Sequence, residues 1–338
     1  MTDITRDAEI SHPRRVRPHL VFLGAGASRA AFPAGDVGGR LLPVMQDLTS
    51  ILGLEAALGE HGVSASLGNF EQVFSFIAAR PNLAELRADI ERRVAEYFSR
   101  LALPDQPTLY DQLLLSLRGK DMIATFNWDP FLVQAYRRNR PKVPSLPHLR
   151  FLHGNVLSAF CETDSLFGTP GMPCPRCGAP LAPTPLLYPV EDKCYSTHPA
   201  IAAAWDDVRT MMKEALVLTI FGYSAPATDA DAIELLSTAW GTPNSRQFEQ
   251  VDIIDIQPEA DLIRTWSKFI HTHHYSVAPA FEGSFISQHP RRTIEAFISE
   301  TIEARLIEVN PLPRACSLHE LWAWFEPLAK AEASPHAA

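Results

Sequence analysis

The sequence predicts an α/β protein: a Rossmann-like parallel sheet with helices on both faces, carrying a helical insert and a small Cys-rich, zinc-ribbon-like module. Three observations predict it. Short apolar runs that are continuous rather than alternating recur at Leu20 to Leu23, Met122 to Thr125, and within LRFLHGN, ALVLTIFGYS and VDIIDI, as buried parallel strands require. Each run ends in Gly, Asn, Asp, Ser or His, and segments of helical period separate the runs. Between residues 158 and 197 this alternation breaks into a stretch with four cysteines and seven prolines, too poor in apolar residues to own a core.

In chain order, residues 1 to 18 are polar, lack the apolar centre of a secretory signal, and read as a flexible leader to a main domain over 19 to 310. After the first strand, Gly24 and Gly26 let the backbone turn sharply, because neither carries a Cβ. Ser28 is placed to cap the helix that follows, whose free N–H groups would face a dinucleotide pyrophosphate on the turn. The third glycine of G-x-G-x-x-G is absent, Arg29 standing there, so a purely structural strand-to-helix turn fits the same residues. Leu41, Leu42, Met45, Leu48, Ile51 and Leu52 recur at helical spacing, Asn69 can cap a helix over NFEQVFSFIAAR, and 82–102 and 108–118 read as further helices. The helical insert thus spans 40–118 and covers one wall of a ligand cleft.

The second strand ends at Asn127-Trp128-Asp129, and Pro130 opens a helix through Tyr136. The third ends at His153-Gly154-Asn155. After the cysteine-rich insert of 158–197, a helix over 200–213 leads to the most apolar strand, which ends at Gly222-Tyr223-Ser224. A helix from Thr228 to Trp240, a strand ending near Asp255, a helix from Pro258 to Phe269 and helices over 291–308 and 317–330 complete the chain, with 311–338 a C-terminal helix and tail. In a parallel sheet the five polar strand ends share one edge, where open α/β sheets bind ligands.

Composition narrows the function classes. A net charge of −9 leaves no basic surplus for a phosphate backbone, and the cluster Arg137, Arg138, Arg140 and Lys142 reads as a solvated face, so nucleic acid is not expected. No run of eighteen apolar residues exists, which predicts no membrane span and a soluble, cytoplasmic protein. Five cysteines are too few and too unevenly placed for a disulfide scaffold. In a reducing compartment Cys174 and Cys177, in a C-x-x-C, point to metal instead, since both can reach one tetrahedral ion.

The order of these motifs resembles the sirtuin (SIR2) family, in its divergent bacterial SIR2-like branch. The matching residues are GAGAS at Gly24 to Ser28, FNWD at Phe126 to Asp129 where sirtuins have Gln-Asn-x-Asp, HG at His153 and Gly154, CPRC at Cys174 to Cys177, and GYS at Gly222 to Ser224 for Gly-Thr-Ser. They cover residues 19–277, each motif is short, and the set in its order carries the resemblance. The Gly-Ile-Pro-Asp-Phe-Arg segment has no clear counterpart, Ala31-Phe32-Pro33 being nearest, and Phe126 replaces Gln; both weaken peptide deacylation more than NAD binding.

The resemblance implies NAD as co-substrate, with its pyrophosphate on Gly24, Ala25, Gly26, Ala27 and Ser28, and Gly222, Tyr223 and Ser224 meeting phosphate or ribose from the facing strand. Asp255 either accepts from adenosine ribose hydroxyls or caps the helix ahead of Pro258. Asn127 donates to a ribose hydroxyl and orients a water with Asp129 in support, or forms an Asx turn; His153 is the general base. Cys161 follows His153 at the spacing of a first zinc cysteine. With Cys174 and Cys177, the fourth ligand is then Cys194 or Asp164, a degenerate metal-free site remaining the alternative; any zinc is structural. The activity implied is NAD+ hydrolysis to ADP-ribose and nicotinamide, as in SIR2-like proteins of antiphage defence, whose partners include homo-oligomers and helicase-like ATPases. A NAD-dependent protein-lysine deacylase and a non-catalytic NAD or ADP-ribose sensor are the alternatives.

Overall fold

Successive side chains of a strand point to opposite faces, and in β1 (His19–Leu23) both faces are covered. Leu20 and Phe22 join one apolar cluster, Val21 and Leu23 another, which is why the run reads as continuously apolar. The structure, a computed structural model, describes residues 4–14, 16–64, 67–143, 145–190 and 195–333. In β2 (Met122–Thr125) the same division places Met122 and Ala124 against one layer and Ile123 against the other. β3 (His148–Phe151) follows, then a separate antiparallel sheet made by β4 (Ala159–Cys161), β5 (Leu166–Gly168) and β6 (Ala182–Pro183). β7 (Val217–Phe221), β8 (Gln250–Ile254) and β9 (Tyr275–Ala278) return to the main sheet.

The main sheet runs β3-β2-β1-β7-β8-β9 with every pairing parallel. Winding outward in both directions from β1 is the doubly wound order, and the winding reverses between β1 and β7, where a crevice opens beyond the strand ends. One face is covered by the helical insert, with Phe70, Val73, Phe74, Ile77, Leu86, Ile90 and Val94 on Val21 and Leu23. The other is covered by Trp205, Val208, Leu236, Trp240, Leu262 and Trp266. The expected Rossmann-like sheet with helices on both faces is therefore present.

Asn69 caps the helix Phe70–Ala78 through a reciprocal box: its side chain accepts from Gln72 N at 3.2 Å, and Gln72 Oε1 accepts from Asn69 N at 3.0 Å. Elsewhere the chain departs from its pattern. The periodic stretch from Leu41 to Leu52 is helical only over Leu48–Ile51, because Pro43 supplies no N–H and the Asp47 carboxylate takes the Val44 N–H at 2.7 Å. The helix expected over 291–308 is confined to Thr293–Phe297 and a π turn over Ile298–Ile302, and Ile307 instead bridges to Ile4. β9 has no apolar run to announce it, being a half-exposed edge strand.

The leader contains a helix, Arg6–Ser11, fastened to the body: the buried Glu9 carboxylate lies 2.7 Å from His289 Nδ1, and its carbonyl accepts from Arg292 Nε at 3.0 Å. At the other end of the chain, Glu332 of the helix Leu318–Ala333 pairs with the fully buried Arg291 and Arg292. No helix among the described residues is long and apolar enough to cross a membrane.

Candidate functional site

Beyond the carboxyl ends of β1, β2, β3, β7 and β8 lies a cavity of about 470 Å³, a volume suited to a small-molecule ligand. Gly24, Ala25, Gly26, Ser28, Asn127, Asp129, His153, Gly222, Tyr223, Ser224 and Asp255 all line it. Residues drawn from five separate strand ends thus share one rim. Leu42, Met45, Asn69, Glu71 and Phe98 of the helical insert form the facing wall. Ala27 is absent from the lining because its side chain is fully buried in the core.

The glycine turn serves packing before it serves a ligand. A Cβ on Gly26 would lie 2.8 Å from Gly222 Cα, and one on Gly24 would meet the Gly222 carbonyl and Tyr223 Cα. The β1 turn and the β7 turn therefore lie backbone on backbone, and Gly222, at φ +59°, adopts a conformation that L side chains resist. Three amides of the turn are already committed: Gly24 N to Phe221 O, Gly26 N to Gly222 O and Ala27 N to Gly24 O. A pyrophosphate on this turn meets fewer free N–H groups than the motif alone implies.

Ser28 is not the helix cap. Gly24 occupies the N-cap of the helix Ala25–Ala31, and Ser28 lies inside it, buried. Its Oγ donates to Asp129 Oδ2 at 2.6 Å, while the Tyr110 hydroxyl, at 2.6 Å, and Asn127 Nδ2, at 3.0 Å, donate to it. Burial beside Asp129 holds Tyr110 well above the ordinary phenol range, so it stays a donor. Asn127 Nδ2 also donates to Gly24 O at 2.9 Å. Both amide hydrogens of Asn127 therefore bind the protein, not a ribose hydroxyl, and its carbonyl oxygen is the polar atom left for a ligand.

Asp129 anchors this cluster. Burial pushes its carboxyl up to about 6, opposed by the hydrogen bonds from Ser28 and the Phe131 N–H. Asn155 fixes the backbone beneath it, donating to the carbonyls of Asp129 and Asn127. Asp255, at the end of β8, accepts from Gln257 N at 3.0 Å, an Asx turn ahead of Pro258.

His153 is buried at the end of β3, edge-on to Phe126 (centroids 5.0 Å, 76°) and parallel to the Tyr195 ring at 6.1 Å. Phe126, where the resemblance leads one to expect Gln, lies flat on Tyr223 at 4.0 Å and 8°. Sequence reasoning missed Asp229, whose Oδ1 is 3.7 Å from His153 Nε2 and whose Oδ2 accepts from the Tyr223 hydroxyl at 2.7 Å. In sequence it reads only as the start of the helix Ala230–Trp240, and no local pattern ties it to His153.

In the cysteine-rich module, Cys161, Asp164, Cys174 and Cys177 each bring a ligand atom within 4.8 Å of the other three. Cys174 and Cys177 sit on a tight turn in which Gly178, at φ +76°, donates to Cys174 O at 2.9 Å. Cys161 Sγ lies 3.5 Å from Cys177 Sγ, and Asp164 Oδ2 lies 3.1 Å from Cys174 Sγ and 3.6 Å from Cys161 Sγ. Tetrahedral Zn–S bonds of 2.3 Å imply ligand edges of about 3.8 Å, so the set fits zinc. Of the two fourth ligands the sequence left open, Asp164 is gathered here, while Cys194 lies outside the described residues. The purified protein is expected to hold one zinc per chain by elemental analysis, and Asp164→Ala to lose most of it on dialysis against a chelator. Full retention by that variant would show that Asp164 is not a ligand.

No model of a known protein family matches the sequence, and no curated protein matches it. Among solved structures, the chain is similar to a mutant Sir2 homologue in complex with ADP-ribose, at 16% identity over 83% of this chain and 93% of that one, with a TM-score of 0.39. It is also similar to a Sir2 homologue–NAD complex, at 16% over 85% and 97%, TM-score 0.37. A Sir2 protein bound to a myristoylated histone peptide matches at 12% over 86% and 94%, TM-score 0.34. What the chain has in common with these Sir2 structures is thus a faint likeness in fold.

Proposed function

We propose that this chain is a SIR2-like NAD+ hydrolase that cleaves the bond between nicotinamide and ribose, giving ADP-ribose and nicotinamide. The observation that carries the reading is the meeting of the glycine turn, Asn127 and His153 on one cavity at the point where the sheet reverses its winding. The motifs of Gly24 to Ser28, Phe126 to Asp129, His153-Gly154 and Gly222 to Ser224 support it through their resemblance to sirtuins.

In this reading the β1 and β7 turns hold the pyrophosphate, and Asp255, with one oxygen on Gln257 N, offers the other to the adenosine ribose. Cleavage builds positive charge on the ribose carbon, as in other glycosidic hydrolyses. The bonding pair leaves with neutral nicotinamide, a water oxygen bonds to the carbon, and the water proton passes to His153 and then to solvent. The amide oxygen of Asn127 accepts from the water or a ribose hydroxyl, and Asp129 holds the cluster that keeps that oxygen in place. A role in antiphage defence belongs to the same proposal through the resemblance alone.

The gathered cysteines and Asp164 favour a second reading, a protein-lysine deacylase, since sirtuins of that activity carry such a module. Incubation with NAD alone separates the two. The hydrolase releases nicotinamide steadily without an acylated peptide, and release that requires one would replace the first reading with the second. Binding without release under either condition would leave a nucleotide sensor.

A further inference from the structure

We infer that Asp229 is the positioning residue for His153, fixing its tautomer and holding the charge that develops on it. The inference rests on the hydrolase reading for its consequence in turnover, but its geometry belongs to the fold. Asp229 closes the short 3₁₀ turn Ala227–Asp229, where its own N–H donates to Pro226 O at 2.8 Å, and its side chain is buried. One carboxylate oxygen takes the Tyr223 hydroxyl at 2.7 Å, and the other stands 3.7 Å from His153 Nε2.

Phe126 lies flat on Tyr223 and edge-on to His153, so a single aromatic ring spaces the imidazole from the phenol while Asp229 connects them on the polar side. The gap is longer than a hydrogen bond, as is common for catalytic pairs before a ligand closes the site. With a proton held on Nε2 toward Asp229, the lone pair lies on Nδ1, the basic atom of that tautomer. The imidazolium then faces a fixed carboxyl group, in the arrangement of the acid of a hydrolytic triad.

Other titratable groups surround the pair and set its baseline. Tyr195 stacks parallel to the imidazole, Tyr223 bonds Asp229, and Glu71, Asp129 and Asp255 line the same cavity. Burial, with Asp229 next in effect, keeps both tyrosines protonated across the neutral range, so neither sets a phenolate beside His153.

The test uses the full chain with Asp229→Asn, which keeps an acceptor for Tyr223 and removes the charge, and Asp229→Glu, which keeps the charge. Three quantities are read: the His153 imidazole titration by NMR, nicotinamide release against pH, and NAD binding by calorimetry. In Asp229→Asn the imidazole pKa is expected to fall by about 1 unit, because an opposite charge has been removed from beside it. The rise of kcat with pH moves down accordingly, kcat at its optimum falls roughly 10²-fold, and NAD affinity stays within about threefold. Asp229→Glu is expected to restore part of kcat and most of the imidazole pKa.

An unchanged imidazole pKa in Asp229→Asn, or an unchanged kcat in a variant that still binds NAD, overturns the inference. Failure of the unmodified protein to release nicotinamide overturns the hydrolase reading instead, and the imidazole titration still decides the role of Asp229. Should Asp229→Asn melt at a much lower temperature, Asp229→Glu carries the test against the unmodified protein: a lower kcat at unchanged NAD affinity is expected, because the carboxylate is displaced from the imidazole, and an unchanged kcat and imidazole pKa overturn the inference.

Discussion

His153→Ala is expected to lower nicotinamide release from NAD by roughly 10²- to 10⁴-fold, the contribution of a positioned general base, while NAD affinity changes little. The imidazole lies edge-on to Phe126, parallel to Tyr195 and beside Asp229, so its truncation removes the base together with those contacts. Asn127→Ala should behave differently. It deletes the donor to Gly24 O and to Ser28 Oγ at once, leaving buried acceptors without that partner, at a cost of about 1–3 kcal/mol. Both the melting temperature and NAD affinity should therefore fall along with turnover. Steady-state assays, calorimetric NAD binding and thermal melts on the two variants separate a base from a scaffold residue. Turnover by His153→Ala at the unmodified rate would remove the histidine from the mechanism.

The second large effect is one of stability. Gly222→Ala is expected to cost about 2–5 kcal/mol, the sum of a left-handed backbone for a residue with a Cβ and of overpacking in a closed junction. The added methyl would lie 2.7 Å from Gly26 Cα and closer still to Ala27 N, where backbone faces backbone and no flexible side chain can give way. Gly53→Ala is the control: Gly53 also has a positive φ, of +61°, but nothing lies within 4 Å of an added Cβ, so only the backbone strain of about 1–2 kcal/mol remains. Thermal melts should place Gly222→Ala on the order of 10 °C below the unmodified protein and well below the control. Equal melting temperatures for the two variants would mean that the β1 and β7 turns are not packed as described.

These outcomes separate what a linear reading reaches from what it does not. Continuous apolar runs announced β1, β2, β7 and β8 because strands covered on both faces need no polar alternation. The capping box at Asn69 and the turn at Cys174 to Gly178 were equally legible, since their partners lie within a few residues. β9 was not, being an edge strand whose polar residues face water. The periodic leucines from Leu41 to Leu52 misled for a local reason, Pro43 and the carboxylate of Asp47 taking the place of helical hydrogen bonds.

By itself the sequence determined five strands of the main sheet, the order in which their polar ends appear and the residue types available for chemistry, because these follow from side-chain period and turn propensity over short spans. The tertiary structure alone decided how those residues are used. It turned Gly24 and Gly26 into packing glycines against Gly222, engaged both amide hydrogens of Asn127, set Ser28 between Tyr110 and Asp129, and gathered Asp164 with the cysteines. It also brought Asp229 beside His153. Such roles depend on pairs like Ser28 and Asp129, 101 residues apart, whose proximity is created only when β1 and β2 pair side by side in parallel.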